Sequence, residues 1–108
     1  MKSTGTFLLF VLSLFVFAFQ ARSSEEGSVA ALYKARCAAC HGEDGRPRGI
    51  AKNSAVFPDN EWKASTSFDE VVQVITRGRS KMPGFASKLT PEEIRALAAY
   101  VLAMESPS

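Results

Sequence analysis

Residues 34–45 read "KARCAACHGEDG", and this stretch holds both cysteines and the single histidine of a 108-residue chain. Cys37, Cys40 and His41 fall within five consecutive positions. Cys-x-x-Cys alone supports a redox disulfide, half of a zinc site or haem attachment. A thioredoxin-type redox site belongs in a βαβ setting, and no segment of this chain alternates convincingly as a strand does. A structural zinc ion takes four ligands, and no further Cys or His exists to complete such a set. A plain structural disulfide stays open in an exported chain. Covalent haem attachment is the reading that uses all three residues. On a helix Cys37 and Cys40 share a face, each able to form a thioether with one haem vinyl group, and His41, four residues on from Cys37, is brought beneath the iron as an axial ligand.

Upstream of the cluster, Val29, Leu32, Tyr33, Arg36, Cys37 and Cys40 follow the spacing of one helix face, with Ser24 or Ser28 as the N-cap. Before that, "MKSTGTFLLFVLSLFVFAFQARSS" carries one early cation, Lys2, and an apolar run over residues 7–19. The run has the length of a secretory leader and falls short of the roughly 20 residues of a membrane-spanning helix. Ala21 and Ser23 are small residues placed for cleavage after Ser23, so residues 1–23 are expected to be a signal peptide and residues 24–108 the working domain. The alternative is a retained N-terminal anchor, since extending the run back to Thr4 brings it near the lower limit of a span. No Cys lies near the cleavage point, which argues against a lipid anchor there.

Without the leader the chain changes character. Lys2 and Arg22 account for its formal net charge of +2, so the remainder is balanced and offers no electrostatic case for a nucleic-acid partner. Phe7, Phe10, Phe15, Phe17 and Phe19 leave as well. Residues 24–108 make one domain, too short for two, and a chain of this size commonly needs a disulfide, metal or cofactor to complete its core.

Downstream, residues 42–60 hold Gly, Pro, Asp and Asn at close intervals and read as loop, with a short helical turn over residues 51–56. "SFDEVVQVITRG" (67–78) reads as a helix, with Ser67 and Glu70 as capping box, Phe68, Val71, Val72 and Ile75 as apolar stripe and Gly78 as stop. "TPEEIRALAAYVLAM" (90–104) repeats the logic: Thr90 caps, Pro91 opens, Glu93 closes the box, and Ile94, Leu97, Ala98 and Val101 face inward. Between them "RSKMPGFASKL" (79–89) reads as a loop too polar to belong to the core.

"CAACHGEDG" after an N-terminal helix, "KMPGF" in a late loop and "LTPEEIRALAAYV" as a closing helix resemble the class I cytochromes c of the small monohaem bacterial kind, over nearly all of residues 24–108. The resemblance implies an all-α fold, three to four helices around one covalent haem c. In such proteins a loop methionine supplies the second axial ligand, here Met82. Met104 extends the Leu97 and Val101 face and reads as core. Tyr33 with Leu97 and Tyr100 match the aromatic packing of first and last helices, and Trp62 matches an indole that contacts a haem propionate. One departure stands out. Relatives often carry a proline a dozen residues after the histidine whose carbonyl accepts the second imidazole N–H; residues 51–56 contain none, and Pro47 and Pro58 flank the place.

The implied function is one-electron transfer by a His/Met-ligated haem in a monomeric periplasmic carrier, not an enzyme, with at most peripheral membrane contact. Two permanent ligands suit outer-sphere transfer, and methionine sulfur raises the reduction potential relative to two histidines. Alternatives are a five-coordinate haem that binds gases or acts as a weak peroxidase, and a structural or sensory haem subunit of a larger complex. Arg46 and Arg48 after the motif, with Arg77, Arg79, Lys81 and Lys88 around Met82, suggest a basic rim for an acidic redox partner.

Overall fold

The computed structural model describes residues 27–106; the expected leader and cleavage point, with the cap candidate Ser24, lie outside them. The described part of α1 covers residues 27–36, α2 is Ala38–His41, a 3-10 turn covers Gly49–Ala51, α3 is Asn60–Ser65, α4 is Phe68–Arg77 and α5 is Pro91–Leu102. Among the described residues the only β pairing is an isolated bridge between Arg79 and Met82. Among the described residues the fold is all-α, with five helices where three to four were expected. No helix among the described residues is long and apolar enough to cross a membrane.

α4 and α5 form where the apolar spacing and the caps agree. In α5 the Thr90 hydroxyl accepts from the Glu93 N–H while the Glu93 carboxylate accepts from the Thr90 N–H, a complete capping box, with Pro91 opening the helix. Its Ile94, Leu97, Ala98 and Val101 are all buried, as their spacing requires. In α4 Ser67 accepts from the Glu70 N–H, but the reciprocal bond is absent, so the expected box is half formed. Gly78, at φ +81, ends the helix and donates its N–H to the Val74 carbonyl. Val71 and Ile75 enter the core, and Phe68 and Val72 pack against it.

The core joins the two ends of the described chain. Tyr33 of α1 (2 % exposed) and Leu97 of α5 (1 %) are its two largest fully buried side chains, and the Tyr33 and Tyr100 rings meet at 5.2 Å. The predicted aromatic packing of first and last helices is therefore present.

Four local expectations need correction. Ser28 lies inside α1 and is not its cap. The first helix does not run unbroken through the cysteines: it gives way at Cys37 (φ −120, ψ −36), and α2 begins afresh at Ala38. The short turn expected over residues 51–56 sits earlier, at Gly49–Ala51, and α3 follows, capped by the Asp59 carboxylate accepting from the Glu61 N–H. Finally, the late loop is not excluded from the core. Phe85 and Leu89 are buried there, because the Phe85 N–H donates to the Ile75 carbonyl (2.8 Å) and folds the chain back over the end of α4.

Candidate functional site

Cys37, Cys40 and His41 lie on the break and the single turn that follow α1. Cys37 is half-buried and Cys40 exposed. The His41 N–H donates to the Cys37 carbonyl (2.9 Å), so the histidine follows the first cysteine by one helical turn. Burial pushes the Cys37 thiol up to about 11 and lowers the pKa of His41, which favours the neutral imidazole that ligates metals.

The chain turns sharply after His41. Gly42 has φ +77, and a Cβ there would overlap the Arg46 carbonyl oxygen, so only glycine suits the position. The Gly42 carbonyl accepts from the Tyr33 hydroxyl at 2.7 Å and from the Gly45 N–H at 3.3 Å. The Gly45 carbonyl in turn accepts from the Phe57 N–H at 3.0 Å. The Arg48 N–H donates to the Cys40 carbonyl at 2.8 Å, tying the 3-10 turn to the cysteines. Phe57, thus placed, stacks on the His41 ring (4.8 Å between centroids, 25° between planes). Sequence reasoning missed this ring; its only signal was a single phenylalanine in a stretch without periodicity.

Met82 sits in the loop that follows α4. Arg79 and Met82 exchange two backbone hydrogen bonds (3.0 and 2.9 Å), with Ser80 at φ +53 in the turn between them. The Ala86 N–H reaches the Thr76 carbonyl at 3.2 Å, so with the Phe85 bond the loop is pinned to α4 just after Pro83 and Gly84. Met82 is half-buried against the core that also receives Cys37 and Trp62. Met104 is engaged elsewhere: a Cβ on Gly45 would lie 2.8 Å from its sulfur, and its carbonyl accepts from the Lys63 ammonium. Trp62 packs on Phe57 at 5.1 Å between centroids, which is a core role whatever else its indole contacts.

The donor set tests whether these residues suit a haem. His41 Nδ1 is buried with no hydrogen-bond partner among the described residues, a costly state for a polar atom. No expected carbonyl reaches it, in keeping with the missing proline. A neutral, stacked imidazole one turn beyond a half-buried thiol, with a second thiol exposed beside it, fits covalent attachment of a porphyrin next to the core.

The rim carries exposed cations. Arg46 is partly neutralised by Asp44, whose carboxylate accepts from the Arg46 N–H at 3.1 Å and lies 4.0 Å from its guanidinium, and Glu43 faces Lys34 at 3.8 Å. Arg48, Arg77, Arg79, Lys81 and Lys88 are exposed and make no ion pair with the described residues.

Comparison with known proteins agrees with this arrangement. Residues 25–101 match the family described as cytochrome c oxidase, cbb3-type, subunit III. The chain is 34 % identical to cytochrome c6 of Nostoc sp. over 94 % of its own length and 93 % of that protein. It is 37 % identical to the cbb3-type cytochrome c oxidase subunit FixP of Azorhizobium caulinodans, over 67 % of this chain but 25 % of that longer protein. Among solved structures it resembles the KustC0563 c-type cytochrome, with a TM-score of 0.67 and 38 % identity over 71 % of this chain and 96 % of that one. By sequence, by fold and by relatives, the chain belongs to the class I cytochromes c, as a small monohaem member that binds its haem c covalently and transfers electrons.

Proposed function

We propose that Cys37 and Cys40 carry the haem through thioethers, that His41 and Met82 are the two axial ligands of its iron, and that the protein is a carrier rather than an enzyme. It works in the periplasm after loss of its leader, moving one electron at a time between redox proteins. The observation that carries the ligand assignment is the contrast between the two methionines: Met82 stands on a loop pinned to α4, while the Met104 sulfur is packed against Gly45. When bound, the haem would supply an iron that alternates between ferric and ferrous states, held by His41 and Met82.

The chain's own residues hold that arrangement still. Phe57 supports the His41 ring, the Arg79–Met82 bridge and the Phe85 and Ala86 tethers hold the methionine loop, and Phe85, Leu89 and Leu97 keep water from the interior. Trp62, half-buried beside Phe57, is the proposed contact to a haem propionate. Exposed Arg48, Arg79 and Lys81 present positive charge to a partner with an acidic face.

Met82→Ala tests the assignment. Purified Met82→Ala holoprotein is expected to lose the weak far-red band of ferric His/Met haem, to fall in potential and to bind carbon monoxide, whereas Met104→Ala keeps the band. A wild type that already binds carbon monoxide avidly would instead establish a five-coordinate, gas-binding haem.

A further inference from the structure

We propose that Tyr33 is a positioning residue for the His41 imidazole: by holding the Gly42 carbonyl, its hydroxyl fixes the turn that places Phe57 against the histidine ring. The inference rests on the reading of His41 as an axial ligand.

The connection is continuous and short. The Tyr33 hydroxyl donates to the Gly42 carbonyl at 2.7 Å, a buried bond spanning nine residues from α1 to the far side of His41. The same carbonyl accepts from the Gly45 N–H, Gly45 accepts from the Phe57 N–H, and Phe57 stacks on His41. Each joint is stiff. Gly42 and Gly45 both sit at positive φ, and any Cβ would strike Arg46 at the first and Phe57, Pro58 and Met104 at the second. Without the tyrosine hydroxyl, the Gly42 carbonyl keeps only the longer bond to Gly45, at 3.3 Å.

The histidine depends on this support because it lacks the usual one. A ligating imidazole is ordinarily oriented by a hydrogen bond from its second nitrogen, yet His41 Nδ1 has no such partner among the described residues. Orientation about the Cβ–Cγ bond therefore falls to the stacking ring. Helix packing alone does not account for Tyr33, since an unadorned ring would fill the same core space against Leu97 and Tyr100. A buried hydroxyl is retained when it has a partner to hold. Burial raises the Tyr33 pKa well above the usual tyrosine range, so the group remains a donor at every working pH. Tyr100 supplies the control: its ring joins the same aromatic pair, and its hydroxyl makes no hydrogen bond with the described residues.

The test uses proton NMR of the ferric holoprotein, in which the spread and order of the hyperfine-shifted haem methyl resonances report the plane of the axial imidazole. Tyr33→Phe is expected to change that spread, and Tyr100→Phe to leave it as in the wild type. Phe57→Leu should shift the pattern in the same sense, with Tyr33→Phe adding little once Phe57 is gone. If Tyr33→Phe yields no holoprotein, the Phe57→Leu spectrum decides, and an unchanged pattern overturns the proposal. An unchanged pattern in Tyr33→Phe, equal changes in both tyrosine variants, or additive effects with Phe57→Leu would overturn it too, leaving Tyr33 a packing residue. A wild type without the signature of His/Met ligation would sink the ligand reading itself, and this inference with it.

Discussion

At the scale of single residues, Gly45 shows how the histidine side of the site is joined to the rest of the molecule. It has φ +81, and a Cβ there would lie 2.8 Å from the Met104 sulfur and 3.0 Å from both Phe57 Cβ and Pro58 Cδ. Gly49 is a natural comparison, with φ +58 and nothing within 4 Å of its Cβ position. Gly49→Ala is expected to cost about 1–2 kcal/mol, the backbone term alone. Gly45→Ala adds the displacement of packed atoms, for a total of about 3 kcal/mol. Urea unfolding of the two holoproteins measures the difference, and equal losses would mean the Met104 contact carries no weight. The residues proposed to hold the haem stand out in the sequence because rarity marks them: one histidine, two thiols beside it, one loop methionine. Phe57 does not, because what places it is a backbone bond to Gly45, twelve residues away, which leaves no trace in local pattern.

At the scale of elements, legibility followed length and capping. α4 and α5 span enough turns for the apolar stripe to repeat, and each begins at a hydroxyl that binds the backbone N–H three residues on. α3 runs only from Asn60 to Ser65, too short to show a period, and its one signal was the Asp59 cap. The break at Cys37 was hidden for the opposite reason, since the apolar spacing continues across it although the backbone does not. Thr90→Ala combined with Glu93→Ala removes both bonds of the α5 capping box and should cost about 1 kcal/mol, which lowers the melting temperature of a domain this size by about 4–8 °C. Ser67→Ala removes a single bond and should cost less. Thermal unfolding of both variants checks the order; a larger loss for Ser67→Ala would show that α4, not α5, depends more on its cap.

At the scale of the whole molecule, charge is distributed by position rather than by sum. Acids occupy first turns, at Asp69 and Glu70 in α4 and Glu92 and Glu93 in α5, where helix dipoles favour them. Exposed cations gather on the loops around the cysteines and Met82. If that rim docks an acidic partner, reversing Arg79 and Lys81 to Glu should slow second-order electron transfer at low salt and matter little at high salt, where charges separated by more than about 8 Å are already screened at physiological ionic strength. Stopped-flow rates across a salt series measure this, and a rate indifferent to both salt and substitution would place docking on another face.

The meeting of Tyr33 with Tyr100 also sets a temporal order. A chain made from its N-terminus presents Cys37 and His41 long before α5 has been synthesised, yet the core cannot close until Leu97 and Val101 arrive. The segment proposed to attach haem therefore lies on an open chain until α5 docks, and the dozen residues of that helix act as the latch.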